Sequence, residues 1–274
     1  MTFRHIRFPL FLALITIFAS CTEIIDVDIN TVEQQIVVEA NIGLNERAEV
    51  HLSRTIKIDN TGVFPGVRGA KIKITDSRGN SEILTESEPL YPGYYTSMNM
   101  KGRKGETYRL EISVDNKTIT SLSTIPNVAP IDSFKVSRSI YPGGGPSVNP
   151  SIPADFYEIR LKFSDPVTEK NYYQMLLSVN DIPQSGNYIY DDRLTNGSQM
   201  EGFLLIYNPL MKAGDKIQVE MRCVDRSIYD YFSSLKSAGG PGGSSPTNPY
   251  TNLSGSLLGY FSAHTVERRV FVVK

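Results

Sequence analysis

The sequence predicts a mainly β protein carrying one short helix. Three observations lead there. Apolar residues alternate with polar ones along most of the chain, turn-forming dipeptides bound each alternating run, and a single stretch switches to helical spacing.

The alternation begins near residue 35. Val50 and Leu52, then Ile72 and Ile74, then Tyr108, Leu110, Ile112 and Val114, each sit between polar neighbours, with turn chemistry such as "DSRGN" and "DNK" closing the runs. Period two places one set of side chains on a buried face and the other in solvent, which is antiparallel sheet with one wet side. Six or seven strands of this kind fit between residues 35 and 126, the spacing of a sandwich. In order, "PGVRGAKIKITD", "YPGYYTS" and "GETYRLEISVDNKTITSLSTIP" resemble an Ig-like or transthyretin-like sandwich of the kind many cell-surface proteins carry.

The prolines of "IPNVAPIDSF" interrupt the pattern at Pro126 and Pro130, so a linker is expected there, with a second antiparallel β domain over residues 131–274. Its expected strands include "FYEIRLKF", where Tyr157, Ile159, Leu161 and Phe163 share a face, then "YYQMLLSV", "GFLLIYN", "KIQVEMRCV" and "RRVFVVK". A helix is predicted near 226–238. Asp225 is suited to cap it, Ile228, Tyr231, Phe232 and Leu235 form one stripe, and Gly239 follows its end. Such a stripe is more often core than binding surface.

Before residue 21 the chain reads as an export signal. Arg4, His5 and Arg7 precede about 12 apolar residues, too few to cross a hydrocarbon layer that takes roughly 20, and Ala19 and Ser20 follow. Phe18-Ala19-Ser20-Cys21 is similar to the lipobox of bacterial lipoproteins, which makes residues 1–20 a cleaved signal, Cys21 the acylated mature terminus, and 21–34 a tether. Several acyl chains, at about 0.8 kcal/mol per buried methylene, hold a protein on a membrane where a single chain binds only marginally.

Composition narrows the partners. The 28 basic and 29 acidic residues nearly cancel, and loss of Arg4 and Arg7 with the signal shifts the balance further to the acidic side, so nothing in the composition attracts nucleic acid, which wants a basic patch. With Cys21 acylated, Cys223 is left without a disulfide partner. It falls on the apolar phase of Ile217, Val219, Met221 and Cys223, so it belongs in a core.

Catalytic patterns are thin. Only His51 and His264 survive removal of the signal; "LSGSLLG" does not have the spacing of a serine elbow, and His51 falls on the polar side of its strand, where a solvated histidine is expected. Adjacent Asp191 and Asp192 offer two hard-cation ligands, but the further oxygens that calcium demands are not visible at fixed spacing, and such pairs usually cap turns. No metal or cofactor is expected. The Gly- and Pro-rich segments "YPGGGPSVNPSIP" and "GGPGGSSPTNP" lack the lysine and following helix of a phosphate loop. They are instead long loops with Tyr141 and Tyr250 at their borders, a composition suited to adaptable contacts, and these two tyrosines are the candidate partner contacts.

The blocks "CTEIIDVDI", "QIVVEANI", "KGRKGETYRLEI", "TIPNVAPIDSF", "FSDPVTEKNYYQMLL", "IYDYFSSLKSAGG" and "SPTNPYTNLSGSLLGYFSAHTV" together resemble domain-of-unknown-function family 4249. The resemblance implies an outer-membrane lipoprotein of Bacteroidetes-type bacteria, encoded beside TonB-dependent receptors, with no established active-site residues to transfer. It implies a noncatalytic accessory or cargo-binding partner of such a transporter, lipid-anchored in the outer membrane on a face the sequence leaves open. The competing reading is an envelope hydrolase acting on glycan or peptide. Polar groups converging in one cleft would favour the enzyme, and an aromatic patch with a polar rim would favour the docking module.

Overall fold

Alternation becomes sheet throughout the described residues. The computed structural model describes residues 34–56, 62–87, 91–140, 155–186, 188–206, 211–238, 248–255 and 257–274. Cys21, Tyr141, the signal, the tether up to residue 33, the whole first Gly- and Pro-rich loop and most of the second lie outside them. The first half of the chain forms β1 (Ile36–Gly43), β2 (Arg47–Arg54), β3 (Lys71–Asp76), β4 (Ser81–Ile83), β5 (Thr85–Glu86), β6 (Tyr94–Lys101), β7 (Thr107–Val114) and β8 (Lys117–Thr124). The second half forms β9 (Ile131–Ile140), β10 (Asp155–Ser164), β11 (Tyr172–Val179), β12 (Ile182–Pro183), β13 (Tyr188–Asp191), β14 (Gln199–Ile206), β15 (Lys216–Val224), helix α1 (Arg226–Ala238), β16 (Leu258–His264) and β17 (Glu267–Val272).

Two sandwiches result, each with its own core. In the first, the sheet β16-β1-β2-β6-β5 covers the sheet β4-β3-β7-β8, and Val38, Leu52, Ile72, Tyr95, Leu110 and Ile112 fill the space between. In the second, β14-β10-β9 covers β12-β11-β15-β17, with Ile159, Phe163, Tyr173, Met175, Val219 and Cys223 inside. The chain passes from one core to the other between Ile125, buried in the first, and Ala129, buried in the second. All described residues nevertheless fall in one compact unit.

Turn chemistry fixes the registers. Asp115-Asn116 and Asn180-Asp181 take positive φ at both central positions of two-residue turns, the backbone that matches strand twist. Val114 is thereby paired with Lys117, and Val179 with Ile182. At the open edge of β14, two side chains replace a neighbouring strand. The Tyr190 hydroxyl accepts from the Phe203 N–H and donates to its carbonyl, both at 3.1 Å, while the Tyr188 hydroxyl donates to the Leu205 carbonyl at 3.2 Å. Backbone groups that would template aggregation are satisfied within the chain.

One strand from the second half of the chain joins the first sheet. β16 lies parallel to β1, with Val37 opposite Leu258 and Gly43 opposite His264. Residues the sequence assigns to the second module therefore complete the first sheet. Phe261 and Ala263 enter the first core, and the Ala263 N–H donates to Ser123 Oγ at 2.8 Å. On the other side, the Cys223 N–H donates to Thr265 Oγ1 at 2.8 Å, binding the end of this strand to β15.

Helix α1 occupies the predicted residues and contacts β11, β13 and β16. Its cap is Asp225, which accepts from the Ile228 N–H at 3.1 Å and from the hydroxyl of Ser123 in β8, so one carboxylate both starts the helix and fastens it to the first sandwich. Ile228 is buried, Tyr231 and Phe232 are half-buried, and Leu235 is exposed. The predicted stripe is thus core at one end and surface at the other.

Candidate partner-binding face

The outer face of the first sheet carries a transverse row of aromatic and ionisable side chains. Strand register creates it: Glu39 of β1 lies opposite Tyr260 of β16 on one side and His51 of β2 on the other, and His51 lies opposite Tyr94 of β6. All four occupy outward positions because period two sends their neighbours Val38, Val50, Leu52, Tyr95 and Phe261 into the core.

The row is preorganised along its length. His51 stacks on Tyr94 with ring centroids 4.1 Å apart and planes 12° from parallel, while its Nδ1 lies 3.1 Å from Glu39 Oε2. Tyr91 meets Tyr94 edge-on at 6.4 Å. At the other end Tyr260 packs against Tyr231 and Phe232 of α1, each at 5.1 Å. Burial raises the Tyr260 pKa, with the Glu39 charge adding to it, and pushes Tyr231 up to about 12. Both phenols stay protonated and can donate at neutral pH. The Tyr94 ring and half of the Glu39 side chain remain open to solvent.

A polar cleft of about 550 Å³ adjoins this face where the two sandwiches meet, lined by Asn41, Arg47, Lys101, Arg222, His264 and Arg268 among others. Two of its arginines, Arg222 and Arg268, are engaged. Glu220 accepts from Arg222 Nε at 2.6 Å and pairs with Arg268 Nη2 at 2.6 Å, while Arg268 Nη1 reaches Glu46 Oε1 at 2.7 Å. His264 is buried with its Nδ1 3.0 Å from Ser262 Oγ. Burial, reinforced by the charges of Arg222 and Arg268, holds its pKa well below the ordinary imidazole value, so it is neutral at physiological pH.

The Asp191 and Asp192 pair is occupied by protein donors. Burial pushes Asp191 up, but hydrogen bonds from Arg193 and the Tyr229 hydroxyl outweigh it and hold the carboxyl below its usual range. Asp192 accepts from the Asn171 N–H at 2.8 Å. Among the described residues, no group of three or more His, Cys, Asp or Glu side chains is placed to hold a metal ion. Tyr250 is 74% exposed, its N–H donating to Ser234 Oγ of α1 at 2.9 Å. Cys223 is buried as its strand phase predicts, and burial raises its thiol pKa.

His51 is the correction. The sequence places it on a wet face, and it is on that face, but its ring is covered by Tyr94 and its nitrogen is engaged by Glu39, leaving the side chain 23% exposed. Sequence reasoning also missed Glu39, Tyr94 and Tyr260 as a group. The available signal was the outward phase of "VVEANI", "VHLSR" and "GYYTS", where aromatic residues and histidine stand at positions usually given to lysine or threonine.

These features define a mainly β protein of two sandwiches, joined by a strand and a helix, with a preorganised aromatic face on the first. The chain belongs to the family described as Domain of unknown function (DUF4249), whose model matches residues 22–269. A search of curated proteins returns no match.

Proposed function

We propose that the protein is an outer-membrane lipoprotein of the Bacteroidetes type, anchored through Cys21, that acts by binding rather than catalysis as an accessory or cargo-binding partner of a TonB-dependent transporter. The observation that carries this reading is the Tyr260–Glu39–His51–Tyr94 row. Stacked rings give contact area whose ordering cost has been met before binding, and the flanking carboxylate and phenols give direction to the contact. The lipobox-like Phe18-Ala19-Ser20-Cys21 supports the anchor.

Two side chains a hydrolase could draw on are closed off by burial. His264 is buried beside Ser262, and burial disfavours the thiolate of Cys223.

Crosslinking in intact outer membranes followed by affinity purification tests the proposal. A TonB-dependent receptor should copurify with the wild-type protein, and Cys21→Ala should move the protein from the membrane to the soluble fraction. Specific hydrolysis of an envelope glycan or peptide by the purified protein would overturn it.

A further inference from the structure

Two turns at one end of the first sandwich share a tripeptide pattern, Phe64-Pro65-Gly66 and Tyr91-Pro92-Gly93. They are braced against each other through their glycines. A Cβ on Gly66 would lie 2.0 Å from the Pro92 carbonyl oxygen, and one on Gly93, whose φ is +83°, would lie 2.9 Å from the Gly66 Cα. Only residues without a Cβ allow these backbones to meet. Both turns are also tied to the end of β2. The Arg54 N–H donates to the Pro65 carbonyl at 2.9 Å and the Leu52 N–H to the Gly93 carbonyl at 2.8 Å.

The brace holds apolar side chains out in solvent. Val63 is 92% exposed, Phe64 55% and Tyr91 65%, on neighbouring turns of one rim. A rigid backbone presenting large apolar groups to water is what a contact surface requires and what an isolated sandwich end does not.

The chain enters the first sandwich at this same end. The Thr55 N–H donates to the Gln35 carbonyl at 2.9 Å, the Gln35 N–H donates to Thr55 Oγ1 at 3.0 Å, and β1 begins at Ile36 opposite Arg54. Residues 22–33 separate Cys21 from the first described residue. Fully extended at about 3.5 Å per residue, that segment reaches at most about 45 Å. The lipid-bearing end of the chain therefore leaves the first sandwich beside this rim.

We propose that the rim of Val63, Phe64 and Tyr91 rests in the headgroup layer of the membrane that holds the lipid anchor. Tyrosine suits that layer because its ring meets hydrocarbon while its hydroxyl meets water, and phenylalanine adds apolar area at the same depth. The strands of the first sheet then stand away from the bilayer. The Tyr260–Glu39–His51–Tyr94 row faces sideways, toward a neighbour embedded in the same membrane. This inference rests on the lipid-anchored reading above and adds the orientation that makes the row accessible to an integral receptor.

The chain contains no tryptophan, so one introduced tryptophan reports alone. Acylated protein carrying Phe64→Trp, and a control carrying Lys104→Trp in the exposed turn beyond the far end of β6, would be reconstituted on phosphatidylethanolamine–phosphatidylglycerol vesicles. The Phe64→Trp emission should shift to the blue and be quenched by brominated lipid, with iodide quenching reduced at least about threefold. The Lys104→Trp signal should stay fully open to iodide. Flotation of both proteins with equal iodide quenching would overturn the orientation while leaving the anchor standing. Failure of the acylated protein to float would overturn the anchor and this inference with it. Shielding of the Phe64→Trp reporter only when receptor is added would assign the rim to a protein partner and overturn contact with lipid.

Discussion

Two clusters of tyrosine and carboxylate in this molecule use the same chemistry to opposite ends. In the second sandwich, the buried Tyr173 hydroxyl donates to Asp165, whose other oxygen accepts from the Gly197 N–H at 2.7 Å. Beside them Asp192 receives the Asn171 N–H, and the Asn171 side-chain amide donates to the Pro166 and Glu169 carbonyls, each at 2.8 Å. Every one of these groups faces a protein partner, and Asp165, Asn171, Tyr173 and Asp192 are all buried. On the first sandwich, Tyr94 and Glu39 also meet aromatic and ionisable neighbours, yet keep about half of their surface in solvent. A polar cluster closed on itself stabilises the fold; one that is ordered but open leaves its ring and carboxylate available for contact.

The largest effect that would sharpen this contrast is expected at Asp165. Asp165→Ala leaves the Tyr173 hydroxyl and the Gly197 N–H without their acceptor in a buried site, a loss of about 3 kcal/mol. For a chain of this length that lowers the melting temperature by roughly 6–12 °C. A shift under about 2 °C would mean that the closed network carries little of the fold.

Next in size is the pH response of the junction between the sandwiches. The folded pKa of His264 is depressed, so the unfolded chain takes up its proton first as pH falls. Stability is full above about 6.5, the unfolded value, and is lost below it by up to about 1.4 kcal/mol per pH unit until the folded pKa is reached. Comparing melting temperatures of the wild type and His264→Gln from pH 7 to 5 should show a shallower slope in the variant. Identical slopes would remove His264 from the account.

The row should respond oppositely to the closed network. Combined Tyr94→Ala and His51→Ala substitutions remove a surface cross-strand pair and should cost no more than about 1 kcal/mol in chemical denaturation. A loss of several kcal/mol would make the row structural and erase the comparison. Smallest of all is the effect of calcium. Asp191 and Asp192 already have protein donors, so millimolar calcium or a chelator should move the melting temperature by less than about 1 °C, and a clear rise with calcium would reopen that pair as a cation site.

How far these features could be read from the sequence depends on how local their causes are. β7, "TYRLEISV", alternates cleanly because one face meets the core and the other meets water, and α1 follows from Asp225 and a helical stripe. β16, "LGYFSAH", does not alternate, because its outer side is covered toward the His264 end and Ser262, Ala263 and His264 are all buried. Its parallel pairing with β1 joins residues more than 200 positions apart, and no periodicity encodes that. The row inherits the same difficulty. Glu39, His51 and Tyr94 are each ordinary surface residues in their own strands, and only long-range register sets them beside Tyr260. Asp191 and Asp192 attracted attention for the converse reason, since adjacency in sequence is visible while two of the donors that occupy them, Asn171 and Tyr229, lie far along the chain, with only Arg193 nearby.

The central claim is that the open row, and not the closed network, is where a partner is held. Receptor recovery after crosslinking in intact outer membranes, compared between wild-type protein and the Tyr94→Ala, His51→Ala double variant at equal abundance, tests it most directly. The account predicts at least a tenfold drop in recovered receptor with membrane retention and melting temperature nearly unchanged. Undiminished recovery with the variant folded and anchored would contradict it.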